Sequence, residues 1–194
     1  MKKFELTTDF IIFCGIKLFR IRALIEFCDV KAGEVGGYIE KEKNLSQLGE
    51  AWVSGNAKVF GNALVSGNTW ISGNATVSGN AKVSGNTLVS GNAEIAGNAK
   101  VFGKAWIFGE AKVSGNAEVS GDADYTTIKG FGKTWRTTTF FREKDRIAVR
   151  CGCFYGGLDD FREKVKETYK DNKKGKEYLM IADLMEYHFK KEEE

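Results

Sequence analysis

The sequence predicts a mainly β protein built around a triangular parallel β-solenoid, with a β cap before it and a small α/β unit after it. Three observations predict this fold. A six-residue phrase, as in VSGNAK, runs through thirteen hexads from Gln47 to Asp124, too short a period for a helix pair or a propeller blade. Position one of the hexad is Val nine times and Ile three times, and position five is Ala eleven times and Thr twice. Position three is Gly in all thirteen hexads and position four is Asn in nine. These are residues that adopt positive φ at low cost and so make a corner.

Each hexad therefore reads as a three-residue strand and a three-residue corner. In Ala57-Lys58-Val59 the alternation of a strand sends the small and branched residues inward and the lysine outward. Three sides close a coil of 18 residues. Coils stacked at strand spacing make a prism roughly 20 Å tall, at about 4.8 Å per coil. The phrase VGGYIE-KEKNLS carries a weaker version of the phase back to Val35. Residues 1–46 are the strand cap leading into the solenoid, with FELT, FIIFCG and KLFRIRAL as short strands and a turn near Gly15. A solenoid end exposes unpaired backbone, which such a cap covers. In residues 125–194, TTTFF and RIAVRCGCF form a hairpin with Ile147, Val149, Cys151 and Cys153 on one face. LDDFREKVKETYK is a helix with a Leu158/Phe161/Val165 stripe, and GKEYLMIADLMEYHFKK is a second helix with Tyr178, Ile181, Ala182 and Met185 on one side. The KKEEE tail is expected to fray.

The columns of Val53, Val59, Val65 and of Ala57, Ala63, Thr69 resemble the left-handed parallel β-helix of hexapeptide-repeat proteins. The flanks FRIRALIEFCDVKAGEVGGYIEKEKNLS and VRCGCFYGGLDDFREKVKETY resemble a group of such proteins common in bacteriophages and prophages. That likeness implies a protein acting in the cytoplasm of an infected or lysogenic bacterium. It also suggests a role against host defence, by sequestering a nucleotide signal or occluding a defence protein.

The best-known relatives of this fold are acyltransferases with a histidine base on the solenoid. Here the one histidine, His188, lies outside the repeat, and no loop interrupts the coils, so a non-enzymatic role is expected, with no catalytic residues and no cofactor. Zinc enzymes of this fold need histidine ligands that the repeat lacks. Mixed outward residues argue against an ice-binding array. The Asn column, Asn56 to Asn98, reads as a structural ladder at a corner. Cysteines 14, 28, 151 and 153 do not have zinc-ribbon spacing and are expected as reduced, buried thiols. No apolar run approaches the length of a membrane span. The net charge of +3 is too small to suggest binding to duplex nucleic acid.

Two surfaces remain. Outward residues recur on one face every 18 residues. Two faces, Lys58/Thr76/Glu94/Lys112 and Leu64/Lys82/Lys100/Glu118, are ordinary solvated surfaces. The third carries Trp52, Trp70, Leu88 and Trp106. Such an apolar column marks an interface, either with copies of the chain, a trimer being favoured, or with the chain's own flank. Phe60, Phe102 and Phe108, at position two, extend that contact or shield an edge. The second surface is residues 125–150, whose charges sum to +5. Lys129, Lys133, Trp135, Arg136, Arg142, Arg146 and Arg150 are the candidates for holding a nucleotide-like anion and stacking on its base. The alternative to a binding protein is a structural spacer in a virion or assembly.

Overall fold

The computed structural model describes residues 2–190. The acidic end of the tail, residues 191–194, lies outside the described residues. Strands β1 (Phe4–Phe13) and β2 (Ile16–Ala23) form an antiparallel hairpin. Its turn is Cys14–Gly15, with φ of +50° and +77°, the two positive values that a tight primed turn requires. FELT and FIIF thus belong to one strand, with a register irregularity between Leu6 and Phe10. Strand β3 (Val35–Ile39) pairs antiparallel with β2 on one edge and parallel with the solenoid on the other.

The hexads then lay down two-residue strands on three faces. The first face continues from β3 through β5 (Lys58–Val59), β8 (Thr76–Val77), β11 (Glu94–Ile95) and β14 (Lys112–Val113). The second, the tryptophan face, stacks β4 (Trp52–Val53), β7 (Trp70–Ile71), β10 (Leu88–Val89) and β13 (Trp106–Ile107). The third stacks β6 (Leu64–Val65), β9 (Lys82–Val83), β12 (Lys100–Val101) and β15 (Glu118–Val119). All solenoid pairs are parallel and in register, with Trp52 opposite Trp70 and Leu88 opposite Trp106. The inward Ala and Val/Ile columns form one continuous buried core. Inward Thr69 and Thr87 bond their hydroxyls to the carbonyls of Ser66 and Ser84 at 2.8 and 2.6 Å, so neither carries an unpaired polar group into the core.

At the corners glycine is needed twice over. Gly67 sits at φ +71°, and a Cβ there would lie 2.9 Å from the backbone nitrogen of Gly85 in the next coil. Beside it the Asn side chains form the expected ladder: Asn62 to Asn80, Asn80 to Asn98 and Asn98 to Asn116 bond at 3.1, 3.0 and 3.1 Å.

The first coil departs from the hexad. Tyr38 pairs with Lys58 and Leu45 with Val65, a spacing of 20, whereas Trp52 pairs with Trp70, a spacing of 18. Gln47 and Leu48 lie in this two-residue insertion. Leu45 therefore fills the aliphatic position that the repeat register gave to Gln47, and the Gln47 amide instead bonds the backbone of Lys3 and Phe4.

Each end of the prism meets side chains of matching polarity. Outside the strand ladders, solenoid N–H groups point to the following coil, as in Asn56 N–H to the Gly73 carbonyl at 2.9 Å, which leaves mainly carbonyls at the first coil and mainly N–H groups at the last, where the Tyr125 hydroxyl also donates to the Trp106 carbonyl at 2.6 Å. At the start, buried Lys3 donates to the carbonyls of Gly49 and Ala51 at 3.2 and 2.7 Å. Buried Asn44 donates to those of Gly61 and Ala63 at 3.2 and 2.8 Å. At the far end Asp122, Thr139, Glu143 and Asp124 accept from the N–H groups of Trp106, Lys112, Asn116 and Ser120.

That far end is closed by an antiparallel sheet of β16 (Tyr125–Ile128), β17 (Thr138–Arg142), β18 (Ile147–Cys151) and β19 (Phe154–Gly157). Alternation sends Phe141 and Ala148 into the solenoid core and Phe140 and Val149 into a second core. The second core lies beneath α1 (Leu158–Tyr169) and α2 (Lys173–Phe189). Both helices carry their predicted stripes. Among the described residues no helix is long and apolar enough to cross a membrane.

Burial brings the Lys3 ammonium down from the usual 10.5 to about 8. Between those values the unfolded chain binds more protons than the folded one, so stability should rise with pH. Denaturant melts at pH 7.5 and 9.5 should show this rise in the wild type and lose it in Lys3→Met. An equal rise in both proteins would remove Lys3 as its source.

Candidate functional site

The tryptophan face changes character along its length. Trp52 is fully buried, with the Phe27 ring edge-on at 5.5 Å and Gly36 leaving room for its indole. The sequence reading that put Trp52 in an oligomer interface is thus corrected: the chain's own N-terminal flank covers it. Trp70 and Leu88 are half-buried. Trp106 is 55% exposed, between exposed Phe102 and Phe108 on the corners either side. Phe60 behaves differently again, packing on Phe13 at the hairpin tip with ring centroids 5.8 Å apart.

The basic segment also divides. The β17 strand is about 14 Å long and separates its two ends. At one end Arg142 pairs with Asp124 at 3.1 Å and Arg146 with Glu143 at 2.7 Å. Burial opposes ionisation of Glu143, but the Tyr155 hydroxyl, Arg146 and the Asn116 N–H outweigh it and hold the carboxyl below its usual pKa. Both arginines are thus committed to closing the solenoid. Arg150 lies on the solenoid side of β18, in register with Thr139 and Tyr155. Lys129 is held by Glu110 at 2.9 Å. These four candidates do not join the others in one site.

Lys133, Trp135 and Arg136 do lie together, in the loop that reaches the helices. The Lys133 N–H donates to the Tyr169 hydroxyl at 3.3 Å. Trp135 is 62% exposed at φ +53°, with the Lys174 ammonium 5.7 Å from its ring. The Arg136 guanidinium occupies the space where a side chain on Gly152 would stand. It borders a cleft of about 270 Å³ whose walls include Cys151, Cys153, Phe154, Lys164, Tyr169 and Tyr178.

The charged side chains lining this cleft are Arg136 and Lys164, and no carboxylate lines it, although Lys164 also pairs with Glu167 at 2.9 Å. Neighbouring clefts differ: the one at Arg146 and Arg162 also holds Asp159, Asp160 and Glu186, and the one at Lys112, which Arg136 also borders, holds Glu94 and Glu110. Burial, with the Cys151 thiol beside it, raises the Tyr178 hydroxyl to about 12, so it stays protonated as a donor at neutral pH. The sequence reading missed Phe154, Lys164, Tyr169 and Tyr178. The helical pattern held a signal for two of them, since Lys164 and Tyr169 flank the buried Phe161/Val165 stripe. The four cysteines are not buried as expected: Cys14, Cys28 and Cys153 are exposed and Cys151 is half-buried. Among the described residues no cluster of three or more His, Cys, Asp or Glu residues is arranged to hold a metal.

The chain is thus a parallel β-solenoid closed by its flanks. Residues 57–73 and 71–85 match a family model described as the YdcK beta solenoid repeat, which agrees with the coils seen there. No curated protein matches the chain.

The two ends of the tryptophan face should respond differently to truncation. Trp52→Ala should cost about 3–5 kcal/mol in a chemical melt, the range for emptying a large aromatic site. Trp106→Ala should cost less than about 1 kcal/mol. Similar losses in both variants would contradict the assigned burial.

Proposed function

We propose that this protein is a non-catalytic binding protein that sequesters a nucleotide-like anion in the Arg136–Lys164 cleft. One observation carries the reading: Arg136 and Lys164, the latter also paired with Glu167 at 2.9 Å, line one cleft with Phe154, Tyr169 and Tyr178, and no carboxylate lines it. Guanidinium and ammonium groups pair with phosphate oxygens, and the rings offer stacking surface to a base. Trp135 and Lys133 stand at the loop beside it and extend that surface. In the bacteriophage setting that the flanks resemble, such binding withdraws a nucleotide signal from host defence in the bacterial cytoplasm. The same exposed loop is the part that would occlude a defence protein directly.

Equilibrium dialysis against a panel of mono-, di- and cyclic nucleotides tests the reading. At least one should bind, and the double variant Lys133→Ala/Arg136→Ala should weaken it about 100-fold or more, the loss of two charge-assisted contacts. Undiminished binding by the variant would move the site elsewhere. No binding across the panel would leave the cleft without this role.

A second reading concerns assembly and rests on Trp106, Phe102 and Phe108, large apolar side chains exposed on the last coil. We propose that this end of the tryptophan face joins copies of the chain, with a trimer as the expected state. Native mass spectrometry should give a clean multiple of the 21.5 kDa chain that Trp106→Glu reduces to the monomer. A wild-type monomer would sink this second reading alone.

A further inference from the structure

The C-x-C motif has no part in the reading above, and its geometry is specific. Gly152 and Cys153 form the two-residue turn between β18 and β19, since Cys151 pairs with Phe154 in the ladder. Gly152 takes φ +60°, and a side chain there would collide with Arg136. The turn bends sharply, and it holds Cys151 and Cys153 on one side of the sheet. Both line the same cleft. Cys153 is exposed, whereas Cys151 is half-buried and accepts a hydrogen bond from the Thr138 hydroxyl at 3.2 Å. One thiol is therefore open to solvent and the other is held behind it.

Two residues of chain span at most about 7 Å between Cα atoms when extended, and a turn shortens this. A separation shortened below that limit comes within reach of a disulfide, whose Cα atoms lie roughly 4.4–6.8 Å apart. A bridge across so small a loop is strained, which makes it readily reducible. The charged side chains lining the cleft are Arg136 and Lys164, of which Lys164 also pairs with Glu167, so an anionic reagent approaching the thiols meets the Arg136 guanidinium.

We propose that Cys151-Gly152-Cys153 is a reversible thiol–disulfide site that exchanges with a small anionic disulfide of the glutathione type. The exposed Cys153, as its thiolate, attacks one sulfur of the small disulfide. That S–S bond breaks, a mixed disulfide forms on Cys153, and the first small thiolate leaves. The Cys151 thiolate then attacks the Cys153 sulfur, forming the Cys151–Cys153 bond and expelling the second small thiolate. The protein loses two electrons and the small disulfide gains them. The two protons given up by the cysteines end on the two released thiols.

The test uses the whole chain and does not depend on any ligand of the cleft. The reduced protein is incubated with oxidised glutathione, quenched by alkylation, and weighed intact and after trypsin. After the quench the expected product carries alkyl groups on Cys14 and Cys28 alone, and so is lighter than the fully alkylated reduced chain by two alkyl groups plus about 2 Da. Its bridge should lie within the single tryptic peptide 151–162, which holds both cysteines. Reduced glutathione should reverse it, and Cys153→Ser, at an exposed position, should fold and fail to form it. Stable glutathione adducts without a bridge, bridges to Cys14 or Cys28, or no reaction would each overturn the proposal. Charge steering is read from rates at low salt. Oxidised glutathione should react about tenfold faster than cationic cystamine, and Arg136→Ala/Lys164→Ala should bring the two rates together. Equal rates in the wild type would overturn the anionic preference.

Discussion

The axial hydrogen-bond column is the constraint on which the rest of the structure depends. Outside the strand ladders, solenoid peptides hand their N–H groups to the next coil, so the two ends have largely opposite needs. Buried backbone groups left unpaired cost enough to matter, and the flanks answer that cost chemically. Lys3 and Asn44 bring donors to the carbonyl end, while Asp122, Asp124, Thr139 and Glu143 bring acceptors to the N–H end. The folds of the two caps follow. The β1–β2 hairpin holds Lys3 over the first coil, and the β17–β18 hairpin holds Thr139 and Glu143 over the last.

This division explains what was legible in the sequence. Gly at position three and Ala or Val at positions five and one recur because every coil repeats one environment, so faces and corners follow from counting by 18. The Asn ladder and the membership of each face could be read the same way. The two-residue insertion at Gln47–Leu48 could not, because Gln47 occupies the right place in the hexad and only its bonds to Lys3 and Phe4 show its different use. Trp52 misled for a related reason. Its position predicts an outward side chain, and it does leave the prism, but the flank arrives to cover it with Phe27. Contacts between a repeat and a non-repeating flank leave no period to detect.

The basic segment shows the same limit. Seven cations in 22 residues read as one patch, yet a hairpin places its ends far apart, and the closing role of Glu143 draws Arg146 away. What remains near Arg136 gains Lys164 and two tyrosines from helices distant in sequence. Helix periodicity marks the buried Phe161/Val165 stripe, whereas Lys164 at its margin repeats no pattern that would set it apart. The site is assembled from four elements, β18, β19, α1 and α2, together with the loop before β17.

The same physics closes the two ends of the prism to further coils. Satisfied ends do not stack: the acceptors over the last coil and the donors over the first are already used, and β1 and the helices stand outside them. Of the lateral surfaces, two faces present charged side chains, some paired along the axis, such as Lys112 with Glu94 and Lys100 with Glu118. The third is apolar throughout and becomes more exposed toward Trp106, on the coil nearest the sheet that carries the cleft. A lateral contact at Trp106 would thus gather the cleft-bearing units of neighbouring copies at one end of the assembly, leaving the N-terminal hairpins spread at the other.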